Sequence, residues 1–256
     1  VILNTNKLTG IAIDKLAKNQ LIAIRVENFI NEKHATLIAQ RIIKKGYKKY
    51  SNAPSIGKIG MAFYETESKL ELIEKYFNEA KNHIDDLRTR CLPYTSPIDL
   101  LRCNLDEVWP AGAMLESLYG KKMFVGLSRV VEPNIKLLAH HDIFHKDAPT
   151  SYHTKSLIAQ FAANIYLTLP ATGGQIQIWN REITPADFDR LRGESYGIEP
   201  ELLGPPDFEI APKIGELILF NSQKIHAVTP GTTASRLSTS CFVGYRGSHL
   251  PLTYWS

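Results

Sequence analysis

The chain has 256 residues, 44% of them apolar and 22% charged, and its 30 Lys and Arg against 26 Asp and Glu leave a net charge of +4. A chain this apolar can bury a sizeable core, so disorder is excluded as its main state, and +4 is too dilute to indicate a nucleic-acid partner. No apolar run reaches the ~18 residues of a membrane span, and the start VILNTNKLTG lacks the apolar stretch of a secretory signal.

In chain order, LIAIRVENF (21–29) reads as a strand. Asn31 then caps a helix, EKHATLIAQRIIKK, which Gly46 ends. Lys44, Lys45, Lys48 and Lys49 read as its solvated end. From Glu67 to Arg90, the apolar residues Leu70, Leu72, Ile73, Tyr76, Phe77, Ala80, Ile84 and Leu87 carry spacings of three and four, which predicts a long amphipathic helix. A shorter helix is expected from Ile98 to Trp109. The three cysteines, Cys91, Cys103 and Cys241, show no paired spacing. That argues against a disulfide framework or zinc ribbon and for a reducing, cytoplasmic setting.

Beyond residue 120 the texture becomes short and β-rich. Strands are expected at 122–131, 135–143, 160–169, 174–180, 207–211, 216–221, 224–229 and 236–245, punctuated by Gly173-Gly174, Pro205-Pro206 and Pro230-Gly231. The fold class is therefore α+β: an all-β core with helices, built as a double-stranded β-helix (a cupin-like jelly roll). No linker separates the halves, so 1–256 reads as one domain. Residues 1–120 form a mainly helical scaffold packed on one sheet, and 121–256 form the jelly-roll core.

The chemistry concentrates in LLAHHDIFHKD (137–147). On a strand, alternate side chains share a face, so His140 and Asp142 point together and His141 points away. An imidazole and a carboxylate at that spacing suit divalent iron, and a third ligand would complete a facial triad. His226, in LILFNSQKIHAVTPG (217–231), is the available third ligand. Arg236 follows ten residues later and Ser238 two beyond. A hairpin centred on Gly231 is expected to bring residues 226 and 236 opposite each other on one face. A buried Arg needs an anion, and its planar fork matches the distal carboxylate of a bound dicarboxylic acid.

Lesser candidates stand beside bland alternatives. His141 is a packed or solvent-facing residue, His145 a loop residue, and His153 lies in a loop (151–156) that is either a lid or plain surface. Arg129, beside Ser128, points inward to a substrate carboxylate or outward to a salt bridge. Trp179 walls the site or packs the sheet. Asn164 and Tyr166 share a strand face and are placed to meet a co-substrate. Trp255 closes the cavity or frays with the terminus. Residues 182–206 form an insertion that shapes the substrate mouth.

HxD, a distant His, and Arg ten residues on with Ser two further resemble the iron(II)/2-oxoglutarate-dependent oxygenases. The resemblance covers roughly residues 120–256. GGQIQIWNRE (173–182), TYWS (253–256) and the Arg129-to-His140 spacing are similar to the small-molecule branch of hydroxylases and halogenases acting on amino acids and alkaloids. It implies that His140, Asp142 and His226 hold Fe(II) and that Arg236 and Ser238 hold 2-oxoglutarate, with O2 as the other co-substrate. Halogenase members have Gly or Ala where this chain has Asp142, so the resemblance implies hydroxylation. The expected substrate is a small polar metabolite, an amino acid or derivative, with no nucleic acid or membrane involved; Arg129, Trp179 and Trp255 are its candidate contacts. Desaturation or cyclisation at the same iron, or a non-catalytic jelly-roll binding module, are the alternatives.

Overall fold

The computed structural model describes residues 1–50 and 55–256. The first half contains β1 (Ile2–Thr5), α1 (Gly10–Ala17), β2 (Ala23–Val26), α2 (Glu32–Lys45), β3 (Lys48–Lys49), β4 (Ile56–Ile59), α3 (Leu70–Cys91), α4 (Pro97–Val108), β5 (Ala113–Leu115) and β6 (Ser117–Leu118). The second contains β7 (Lys121–Lys122), β8 (Leu127–Val131), β9 (Leu137–His140), α5 (Phe144–Asp147), β10 (Ala159–Thr168) and β11 (Ile176–Ile178). There follow α6 (Pro185–Arg192), β12 (Phe208–Ile210), β13 (Leu217–Asn221), β14 (His226–Val228), β15 (Arg236–Tyr245) and β16 (Leu252–Trp255).

Local chemistry explains the helix ends. The Asn31 side chain accepts from the Lys33 and His34 amides, and Gly46 ends α2 with φ +84°. Thr9 caps α1 through a bond from the Ala12 amide, a helix that the sequence reading did not anticipate. β1, β4, β5 and β16 were likewise not anticipated. Each is at most four residues long and exists through its neighbours rather than through its own pattern.

Two sheets carry the fold. The larger runs β1-β2-β13-β10-β15-β8-β4-β3, with β16 alongside the far half of β15 and β5 beside β16. The smaller runs β12-β11-β14-β9. Strand parity divides the larger sheet by face. Phe161, Ala163, Ile165 and Leu167 of β10 and Leu237 and Val243 of β15 join one hydrophobic core with Ile13 and Leu16 of α1, Ile38 and Ile42 of α2, and Leu101 and Leu105 of α4. The expected helical scaffold thus covers one face. The other face carries Ala162, Asn164, Arg236, Ser238 and Ser240 into a cavity shared with the smaller sheet.

The expected hairpin about Gly231 does not form. β14 pairs with β9 and β11 in the smaller sheet, whereas β15 pairs with β10, β8 and β16 in the larger. The segment between them crosses from sheet to sheet. His226 and Arg236 therefore enter the same cavity from two walls, not from adjacent positions on one. A jelly roll requires such crossings, and a ten-residue spacing alone cannot separate a crossing from a hairpin.

Candidate active site

A cavity of about 300 Å³ opens between the sheets, lined by His140, Asp142, His226, Arg236, Ser238 and Arg129 among others. Three of these converge: one ligand atom from each of His140, Asp142 and His226 lies within 4.8 Å of the others. His140 and His226 are register partners on β9 and β14, with ring centroids 4.3 Å apart. The register slips between His226–Val228 and Leu137–His140, so β9 carries one extra residue. This bulge lets Leu137 and His140 both face inward despite their odd spacing. Asp142 lies just past β9, held by a hydrogen bond that its backbone N–H donates to the Ser222 carbonyl at 2.8 Å.

The imidazoles are oriented for coordination. His140 Nδ1–H donates to the Leu138 carbonyl at 2.7 Å and His226 Nδ1–H to the Lys224 carbonyl at 2.9 Å. Both Nε2 atoms are left free for an ion, the arrangement that fixes tautomer and ring direction at metal sites. His226 Nε2 lies 3.4 Å from Asp142 Oδ2. Burial, reinforced by His226, lowers the His140 pKa to about 4. Burial alone would raise Asp142, but its close contact with the His226 imidazole and the charges of His140, His226 and Arg129 bring it to about 2. At neutral pH these two groups stand as a free imidazole and a carboxylate, the forms a divalent ion needs. A two-imidazole, one-carboxylate donor set with open space beside it fits iron(II).

Arg236 is 7% exposed, and its Nη2 donates to Tyr166 Oη at 3.4 Å while its Nε has no partner among the described residues. Ser238 and Asn164 line the cavity nearby on β15 and β10. Arg129 points inward, its Nη1 donating to Ser240 Oγ at 3.3 Å.

Two expected contacts lie elsewhere. Trp179 packs with Ala139, Phe188, Ile198, Ile225 and Ala227, and its Nε1 donates to the Gly204 carbonyl at 3.1 Å. It belongs to the outer side of the smaller sheet, because it alternates with the inward Ile176 and Ile178 while its amide continues the ladder to the Ile225 carbonyl at 2.9 Å. Trp255, 2% exposed, stacks on Phe144 at 4.4 Å in a separate core, and its neighbour Ser256 is the one that lines the cavity.

His141 turns away from His140 and stacks on Phe188 of α6 at 4.3 Å. His145 is exposed on α5, and His153 bonds Glu116 at 2.9 Å. The insertion supplies Phe188, Arg192 and Tyr196 to the cavity wall. Sequence reasoning missed Tyr50, Tyr64, Asp147 and Ser240, all cavity-lining. Strand parity from Ser238 would have found Ser240. The tyrosines lie far away in the chain and carried no signal.

Comparison with known proteins adds five findings. The family model for the 2OG-Fe(II) oxygenase superfamily matches residues 125–244. The chain is 30% identical over 162 residues to an L-gamma-glutamyl-L-propargylglycine hydroxylase of Streptantibioticus cattleyicolor, a match covering 62% of this chain and 59% of that protein. It is 28% identical over 203 residues to leucinostatins biosynthesis cluster protein S of Purpureocillium lilacinum, covering 75% of this chain and 80% of that one. Its fold is similar to an N-substituted L-amino acid dioxygenase from Burkholderia ambifaria AMMD, with TM-score 0.64, 18% identity, and coverage of 96% of this chain and 91% of that. HygX from Streptomyces hygroscopicus, with nickel and 2-oxoglutarate bound, aligns with TM-score 0.52 at 12% identity, over 92% of this chain and 85% of that.

Proposed function

We propose that the chain is a member of the 2OG-Fe(II) oxygenase superfamily, whose family model matches residues 125–244, and that it is a dioxygenase that hydroxylates an aliphatic C–H of a small amino-acid-like metabolite. The observation that carries this reading is the convergence of His140, Asp142 and His226 within 4.8 Å in a cavity that also holds Arg236. In it, His140, Asp142 and His226 hold iron, and Arg236 with Ser238 holds the distal carboxylate of 2-oxoglutarate. Bound iron supplies activation of dioxygen coupled to decarboxylation of 2-oxoglutarate to succinate. The protein's share is position and dryness. Strands β9 and β14 hold the two histidines, and Phe188 and Tyr196 of the insertion line the cavity wall.

Asp142 supports hydroxylation over halogenation, because a carboxylate at that place fills the position a halide would take. The amino-acid class is supported by the hydroxylase from S. cattleyicolor and the dioxygenase from B. ambifaria, whose names state such substrates. The shared core of α1, α2, α4, β10 and β15 supports one domain. No helix is long and apolar enough to cross a membrane among the described residues. Three free cysteines support a cytoplasmic setting.

The test is succinate formation from 2-oxoglutarate with Fe(II) and a panel of amino acids, N-substituted amino acids and γ-glutamyl peptides. Substrate-dependent succinate with a product heavier by one oxygen is expected. Loss of two hydrogens instead would assign desaturation or cyclisation. No metal-to-ligand charge-transfer band on anaerobic addition of Fe(II) and 2-oxoglutarate would assign a non-catalytic module.

A further inference from the structure

Three arginines line the cavity; Arg192 is paired with Asp189, whereas among the described residues neither Arg129 nor Arg236 is neutralised by a protein carboxylate. On the oxygenase reading above, on which this inference rests, Arg236 is used by the tail of 2-oxoglutarate. Arg129 is left over. Its hydrogen bond goes to the neutral Ser240 hydroxyl at 3.3 Å, and among the described residues it has no carboxylate within the 4.0 Å of a salt bridge. Residues 51–54, Ser-Asn-Ala-Pro, contain no acid. Asp142 acts on Arg129 through space but outside ion-pair range, so the guanidinium lies in the neighbourhood of the iron ligands.

A second orphan stands beside it. Tyr50 is 5% exposed and lines the cavity beside Arg129, and among the described residues its buried hydroxyl makes no hydrogen bond of good geometry. Its ring stacks on Tyr64 with centroids 6.4 Å apart, which fixes its direction. Lys58, over the Tyr50 ring, is already paired with Glu65. A buried cation and a buried phenol with no acceptor are groups that proteins rarely leave unmatched. Together they make a donor set for a planar anion.

We infer that Arg129, assisted by the Tyr50 hydroxyl, binds a carboxylate of the substrate itself. The enzyme then takes an organic acid, such as an amino acid or peptide with a free carboxyl end, rather than a neutral molecule. β8 pairs with β15 so that Arg129 is the register partner of Ser238. The acid is thus anchored alongside the co-substrate on the same sheet, with its remaining length free to extend toward the metal.

The experiment uses the full chain with Fe(II) under anaerobic conditions and saturating 2-oxoglutarate. Two probe pairs are titrated calorimetrically: N-acetyl-L-leucine against its carboxamide, and γ-L-glutamyl-L-alanine against its C-terminal carboxamide. Wild type is expected to prefer at least one carboxylate by roughly tenfold or more, since a site built for a charged partner rejects the analogue lacking it. Arg129→Gln should erase that preference while 2-oxoglutarate affinity stays within about twofold; Arg129→Lys should keep part of it. No preference in wild type, or a preference that survives Arg129→Gln, overturns the assignment. A large rise in the 2-oxoglutarate Kd of Arg129→Gln also overturns it, by giving Arg129 to the co-substrate's inner carboxylate. Failure of wild type to bind 2-oxoglutarate at all overturns the oxygenase reading and this inference with it.

Discussion

His140 and His226 are register partners across β9 and β14, and each ring is fixed by a bond from Nδ1 to the carbonyl two residues earlier in its own chain segment. The two Nε2 atoms are thus aimed before any ion arrives. Removing one should cost more than the ~10–100-fold in metal affinity that loss of an outer partner costs. We expect His226→Ala to bind Fe(II) or Co(II) at least that much more weakly, measured by titration under nitrogen. Unchanged affinity would remove His226 from the ligand set.

Asp142 distinguishes oxygen transfer from halide transfer at the same pair of histidines. Asp142→Gly in chloride is expected to lose hydroxylation and to open a position for the halide, with weak chlorination as the gain. Product mass spectrometry reads both outcomes. Full hydroxylation by this variant would show that Asp142 does not hold the metal.

Arg236 is nearly enclosed, with Tyr166 Oη as its one bonded partner and its Nε unpaired among the described residues. Charge-assisted hydrogen bonds of this kind contribute about 1.5–3 kcal/mol, so Arg236→Ala should raise the 2-oxoglutarate Kd by roughly 10–100-fold. Anaerobic charge-transfer titration measures it. A Kd unchanged from wild type would release Arg236 from the anchor role.

Much of this site was legible because strands have a period of two. Arg236 and Ser238 share a face for that reason, and so do Asn164 and Tyr166. Where parity broke, it broke locally. The bulge in β9 shifts Leu137 and His140 onto the same face, whereas Trp179 keeps to parity, opposite the inward Ile176 and Ile178, and so packs outside the cavity. The hairpin expectation failed because sheet membership is a long-range property. Residues 226 and 236 flank a Pro-Gly turn, yet their strands find partners in different sheets. Tyr50 and Tyr64 reach the cavity through the pairing of β4 with β8, a contact across some 70 residues of chain that no local pattern encodes. On the helical side, capping by Asn31 and the three-and-four spacing of α3 were readable because those signals are local.

Trp255 tests the separation of core from cavity. It stacks on Phe144 and contacts Phe242 with its ring buried, in a cluster that includes Phe63 and Tyr76. Trp255→Ala should destabilise the fold by about 3–5 kcal/mol, as large aromatic deletions in cores do. Chemical denaturation measures it, and Trp255→Phe should recover most of the loss. A variant with native stability but altered substrate preference would return Trp255 to the list of substrate contacts.

Asp147 on α5 lines the cavity, and burial, with the nearby charge of Asp142, raises its pKa from 3.8 to about 8. The folded chain therefore holds this proton more tightly than the unfolded chain does. By linkage its effect on stability is most favourable below 3.8 and is progressively lost as pH rises toward 8. Asp142 acts in the opposite sense: its folded pKa of about 2 lies below 3.8, so its contribution holds above that value and is lost as pH falls through 2. The two windows do not overlap. In chelator-treated protein, Asp147→Asn should match wild type near pH 4 and become the more stable of the two by pH 8. Urea midpoints at the two pH values measure the difference. A constant gap between variant and wild type across that range would show that the Asp147 carboxyl ionises at its ordinary value.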